Sequence, residues 1–115
     1  MELPELNGMV HAYQESLKAE YFAKIELLDR QNEAKAIEAE IVAAGYADGV
    51  IDGKNAETRK AQCDALLLES EALVKQTADL RLVENAAALA EISRKGHDAR
   101  IGLVKAWLYS QSKVG

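Results

Sequence analysis

The sequence predicts an all-α protein built as a long antiparallel helical hairpin, coiled-coil-like in its packing. Three observations predict it. Alanine, leucine, glutamate, lysine and arginine dominate from Glu5 to Lys113, and these residues lose the least freedom in a helix. The one proline, Pro4, lies at the edge of that stretch, so no later proline interrupts it. The clearest loss of helical periodicity is Gly45-Tyr46-Ala47-Asp48-Gly49-Val50-Ile51-Asp52-Gly53-Lys54-Asn55, which holds three of the seven glycines.

The first helix is expected over about 5–44. Its larger apolar residues, Leu6, Val10, Tyr13, Leu17, Tyr21, Leu28, Ile37, Ile41 and Ala44, fall mostly at three- and four-residue steps, with Ala34 filling a gap. Glu15, Glu26, Asp29, Arg30, Glu33 and Glu40 mark the opposite, solvated face. A turn over 45–55 follows, with Gly45 suited to the left-handed position after a helix end and Asp52 or Asn55 to a helix cap. Glu57 then lies in the first turn, where the helix dipole favours an acid.

The second helix is expected over about 56–111. Its stripe runs through Cys63, Leu66, Leu73, Leu80 and Ala87, then in a shifted register through Leu82, Ala86, Leu89, Gly96, Ala99, Leu103 and Trp107. Gly96 leaves a bend, or a short third helix capped by Asp98, as the alternative ending. Two helices joined by about ten residues become antiparallel neighbours in a single domain covering 1–115, with Leu17 and Leu28 facing the region of Leu80 to Leu66.

A chain of 115 residues with 49% hydrophobic content has apolar surface to bury, but each helix of a hairpin buries one stripe. Leu67, Leu68, Val74, Ile101, Val104, Trp107 and Leu108 are therefore expected at an oligomer interface, a dimer first of all. The net charge of −5 argues against a general DNA coat. It is uneven: residues 1–90 carry nine basic and seventeen acidic side chains, residues 91–115 five and two. A single cysteine allows no intramolecular disulfide. There is no basic start followed by an apolar run, and no stretch of roughly 18 apolar residues, so a cytoplasmic protein away from the membrane is expected.

Catalytic and cofactor motifs fail on their mechanics. Gly49-Val50-Ile51-Asp52-Gly53-Lys54-Asn55 is one residue short of a phosphate loop, has asparagine where magnesium needs a hydroxyl, and follows a helix instead of a strand. Asp48, Asp52 and Gly53 fit part of a calcium loop, but Arg59 stands where the bidentate glutamate belongs. A di-iron site needs Glu and His three residues apart, and His97 and His11 have Arg94 and Gly8 there. Cys63 has no histidine partner in sequence, and a serine nucleophile has no strand-turn-helix elbow. No enzyme activity and no cofactor are expected.

Two groups of residues are candidate contact sites. Lys54, Asn55 and Arg59 crowd the expected hairpin tip, where Asn55 caps and Arg59 pairs with Asp52 or Asp48, or where the set meets an anion or acidic edge. Arg94, Lys95 and Arg100, with Lys105, Trp107 and Tyr109, combine cations with aromatic rings as single-strand binding requires, or place Trp107 on the apolar stripe with a basic helix end.

The string Ile51-Asp52-Gly53-Lys54-Asn55-Ala56-Glu57-Thr58-Arg59 resembles a group of small phage and prophage helical proteins that carry Gly-Lys-Asn-Ala-Glu-x-Arg between two long helices. The likeness extends loosely to Ile101-Gly102-Leu103-Val104-Lys105-Ala106-Trp107-Leu108, about half of the chain, and Gly96 departs from the group's uninterrupted second helix. The resemblance implies a phage accessory protein in the bacterial host cytoplasm, often encoded near recombination functions, with Gly53, Lys54, Asn55 and Arg59 matching the motif. The expected function is a non-enzymatic homo-oligomer docking on a host or phage protein of DNA metabolism or defence. An anti-defence protein sequestering a nucleotide signal, through Lys54, Arg59 or the Arg94 to Arg100 cluster, and a single-strand nucleic-acid accessory protein are the alternatives.

Overall fold

The computed structural model describes residues 2–114 and contains three helices: α1 Leu3–Ala47, α2 Ala56–Glu69 and α3 Glu71–Val114. Pro4 fits the first turn of α1, where its missing N–H would have had no partner. The helix outruns its expected end at residue 44 and closes in a Schellman motif: Val50 N–H donates to the Gly45 carbonyl at 3.0 Å and Gly49 N–H to that of Tyr46 at 3.3 Å. The positive φ of 75° therefore falls on Gly49, not on Gly45. Gly45 serves a different need. It is buried inside the helix, and a Cβ there would lie 2.6 Å from Leu66 Cδ1 and 2.7 Å from Ile51 Cδ1.

The expected second helix is two helices. Ser70 parts them with extended backbone, φ −77° and ψ 112°, and serves both sides. Its N–H closes α2 on the Leu67 carbonyl at 3.3 Å, while its hydroxyl accepts from Leu73 N–H at 3.2 Å and its carbonyl from Val74 N–H at 3.0 Å. Serine is a good N-cap because its short side chain reaches those first free donors, and Glu71 adds a favourable charge in the first turn. At Gly96, by contrast, α3 runs on as one helix, so the short third helix capped by Asp98 does not form.

The chain divides into two compact units. The start of α1 as far as Ile25 forms one with α3 from Glu84 onward, and Glu26–Val83 forms the other. In the first unit α1 lines its seam with Leu6, Met9, Tyr13, Ser16, Glu20 and Ala23, all buried or half-buried, at alternating three- and four-residue steps. The facing seam of α3 is Ala87, Ala90, Arg94, His97, Ile101 and Val104, with the same alternation. That is the spacing of antiparallel helices packed as in a coiled coil. In the second unit Leu27, Arg30, Ala34, Ile37 and Ile41 lie on the inner side of α1, and Leu66, Leu73, Gln76, Leu80 and Val83 on that of α2 and α3.

These seams correct the expected stripes. Val10, Leu17, Tyr21 and Leu28 are 42 to 62% exposed, because the seam runs one position away, through Met9, Ser16, Glu20 and Leu27. On α3 the register does not drift: Leu82, Leu89 and Leu103 stay outside while Arg94 and His97 occupy the inner positions. Ala34, Ile51, Leu73 and Ala87 are the only buried apolar residues among those described, and no large side chain is fully enclosed.

Candidate interaction surfaces

The tip of the second unit is held by side chains bonding to backbone. Asn55 has extended backbone, and its Oδ1 accepts from Thr58 N–H at 2.7 Å, capping α2. Gln62 reaches back one helical turn further on. Its Oε1 accepts from the N–H groups of Asp52 and Gly53 at 3.1 and 2.9 Å, and its Nε2 donates to Asp52 Oδ1 at 2.9 Å. Arg59 donates to the Gly53 carbonyl at 3.2 Å, and not to Asp48 or Asp52, while Gln62 engages the Asp52 carboxylate. Ile51, 4% exposed, plugs the loop against Gly45 and Leu66. Of the motif residues, Lys54 is the one left exposed with its ammonium outside this network.

Beside this tip, the second unit carries a groove of about 450 Å³ lined by Leu67, Leu68, Leu73, Val74 and Thr77, with Glu38 and Asp64 on its rim. The break at Ser70 makes it, since the ends of two helices meet there. Leu68 is 80% and Val74 59% exposed, so three residues expected at an interface, Leu67, Leu68 and Val74, are gathered on one open apolar surface.

In the first unit a charged cluster sits within the seam. Arg94 Nε donates to Glu20 Oε2 at 2.7 Å, and Lys24 Nζ donates to Glu20 Oε1 at 2.9 Å. The hydrogen bond from Arg94 first, and then that from Lys24, hold the Glu20 carboxyl at about 2 against its ordinary 4.5. The bond to Glu20 in turn raises Arg94 and Lys24 above their usual values. Glu20 escaped sequence reasoning because it lies among larger apolar neighbours, although its spacing of seven from Tyr13 and from Leu27 is the heptad signal.

The remaining basic candidates part company. Lys95 pairs with Glu91 at 3.7 Å on the surface. Arg100 lines a cleft of about 420 Å³ with Glu5, Gly8, Met9, Ala12 and His97. Ile101, Val104 and the 42% exposed Leu108 line a small hollow with Leu6, Met9 and Val10 within the unit, whereas Trp107, 46% exposed, does not line it. Half-buried Cys63 is a free thiol. Among the described residues no three His, Cys, Asp or Glu side chains gather as a metal site, and no helix is long and apolar enough to cross a membrane. No known protein family, curated protein or solved structure matches the chain.

Proposed function

We propose that this chain is a non-enzymatic interaction protein, a helical homo-oligomer of the phage accessory type that works in the bacterial cytoplasm by docking on another protein. The observation that supports it most is the imbalance of apolar surface. Eighteen large apolar side chains stand exposed among the described residues against four buried apolar ones. Apolar side chains in such number, rimmed by charges, are the material of interfaces. The groove at Leu67, Leu68 and Val74 is the docking site for a partner of host or phage DNA metabolism or defence, and its acidic rim of Glu38 and Asp64 selects a basic edge. Placing the protein among phage accessory proteins rests on the Gly53-Lys54-Asn55-Ala56-Glu57-Thr58-Arg59 string.

Docking is preferred to nucleotide sequestering or single-strand binding because three of the cations those functions would use, all but Lys54 and Arg100 of the candidate set, already have protein acceptors. Arg59 is held on Gly53, Arg94 on Glu20 and Lys95 on Glu91. The test is capture from infected-cell lysate with wild type and Leu68→Glu side by side. Burying Leu68 in a partner is worth roughly 1.5 to 3 kcal/mol, so a genuine partner is retained by wild type and lost from the variant. Equal capture by both, or capture by neither, defeats the reading.

A further inference from the structure

We infer that the element received by the groove of the second unit is an amphipathic α-helix of a partner protein, with lysine or arginine beside its apolar stripe. The inference rests on the reading of that groove as the docking site and names the chemistry of its occupant. Glu38 of α1, Asp64, Leu67 and Leu68 of α2, and Leu73, Val74 and Thr77 of α3 line it, all within the second unit.

The lining favours an occupant whose backbone is already paired. An extended peptide adds to a protein through a run of free N–H and C=O groups at a sheet edge, and the described residues form helices without a strand. At the break between α2 and α3, Ser70 takes the Leu67 carbonyl and the N–H groups of Leu73 and Val74 for itself. The Thr77 hydroxyl, the one uncharged polar side chain of the lining, donates to the Leu73 carbonyl at 2.8 Å. An extended chain pressed on Leu68 and Val74 would lose water from its own backbone with no ladder to replace it. A helix pairs that backbone internally and presents side chains alone.

Charge decides which kind of helix. Residues 26–83 hold twelve acidic and seven basic side chains, and the rest of the chain seven of each, so the whole net charge of −5 belongs to the unit with the groove. Glu38 and Asp64 border the apolar lining from two different helices, and both are exposed. Among the described residues no cation pairs with either, although Lys35 and Lys60 lie one turn away on the same helices. The carboxylates of Glu15, Glu20, Glu33 and Glu91, by contrast, each have a cation. A purely apolar occupant would strip water from two carboxylates and return nothing, whereas lysine or arginine beside its stripe returns an ion pair to each. An acidic occupant is repelled.

The test uses three labelled peptides of about 18 residues, long enough to hold a helix. Two carry the same leucine stripe at helical spacing, flanked by lysine in one and glutamate in the other, and the third is the lysine peptide with prolines that forbid a helix. Fluorescence anisotropy up to about 100 µM protein reads binding. Wild type should bind the lysine helix at least about tenfold more tightly than either other peptide, a difference of about 1.4 kcal/mol. Leu68→Ser/Val74→Ser should abolish binding with circular dichroism unchanged, since these side chains are 80% and 59% exposed. Glu38→Gln/Asp64→Asn should erase the preference for lysine over glutamate. Glu40→Gln/Asp48→Asn removes the same charge from residues that do not line the groove, and should keep that preference.

No binding of the lysine helix overturns the inference, and so do equal binding of the proline peptide, indifference to Leu68→Ser/Val74→Ser, and the same loss of preference in both charge variants. So does wild-type association in sedimentation velocity that Leu68→Ser/Val74→Ser abolishes, because a second copy then fills the groove. The docking reading is judged apart from this, by the Leu68→Glu capture. If that capture succeeds while the lysine helix fails, the groove docks a partner of other chemistry and only the inference falls.

Discussion

Replacing Gly45 by alanine sets two effects of opposite sign against each other. In a helix the exchange stabilises by about 1 kcal/mol, because glycine has more backbone freedom to lose. At Gly45 the new methyl would sit 2.6 Å from Leu66 Cδ1 and 2.7 Å from Ile51 Cδ1, inside contact distance. Both neighbours are side-chain ends, but Ile51 is 4% exposed and cannot withdraw without opening the tip. Overpacking of this kind costs about 1 to 3 kcal/mol, so the net effect is a loss of up to about 2 kcal/mol. Gly102→Ala makes the same exchange where a Cβ meets nothing within 4 Å, and should stabilise by about 0.5 to 1 kcal/mol. The difference between the two variants isolates the crowding. Urea titration followed by circular dichroism at one chain concentration measures it, with a slope of about 1 to 3 kcal/mol per molar converting midpoints to energies. If both variants raise the midpoint equally, Gly45 is not a packing glycine and the geometry of the tip is wrong.

Four further outcomes are expected. Glu20 has a folded pKa of about 2, below its ordinary 4.5, so its stabilisation is complete above that ordinary value and is lost as pH falls towards 2; Glu20→Gln should flatten thermal melts across that window, and an unchanged slope would remove the role. Gln62→Ala strips the acceptor from Asp52 and Gly53 N–H and a donor from the Asp52 carboxylate, and should cost about 0.5 to 1.5 kcal/mol in the same urea assay, because water can replace these exposed and part-buried bonds. Asn55→Ala removes the cap on Thr58 N–H and should cost about 1 kcal/mol, with Asn55→Asp retaining most of it. Lys54→Ala touches none of these bonds and should change stability by no more than about 0.5 kcal/mol, so a larger loss would place Lys54 in the structure of the tip.

The sequence made the helices, the turn and the Asn55 cap legible because these follow from local chemistry: propensity, glycine density and a side chain that reaches three residues on. It misdirected the choice of inner face. Apolar residues here are spread over more than one side of each helix, and a reading that follows the largest of them selects Val10, Leu17, Tyr21 and Leu28, which are exposed. The true seam is carried by spacing instead of size, through Ser16, Glu20 and Ala23, and on α3 through Arg94 and His97. Ser70 was illegible for a related reason: a serine between two glutamates breaks no pattern, and only its bonds to Leu67, Leu73 and Val74 reveal it as a double cap. In the same way Lys54, Asn55 and Arg59 were identifiable as a cluster, but Gln62, which organises Asp52 and Gly53, carried no signal beyond lying in the second turn of a helix.

The tip network also bears on the order in which the chain comes together. Its bonds span ten residues at Asp52 and Gln62, while Gln76 meets the Arg30 carbonyl across 46 and Arg94 meets Glu20 across 74. Closing a loop of 74 residues at random would be slow, because loop entropy is lost before the contact returns anything. Within the second unit, however, once the tip has formed each following pair of seam residues lies only three or four positions further along each helix, so every step closes a short gap. The second unit can therefore zip from the loop outward, and the Gln76 contact to Arg30, remote in sequence, behaves kinetically as a neighbour.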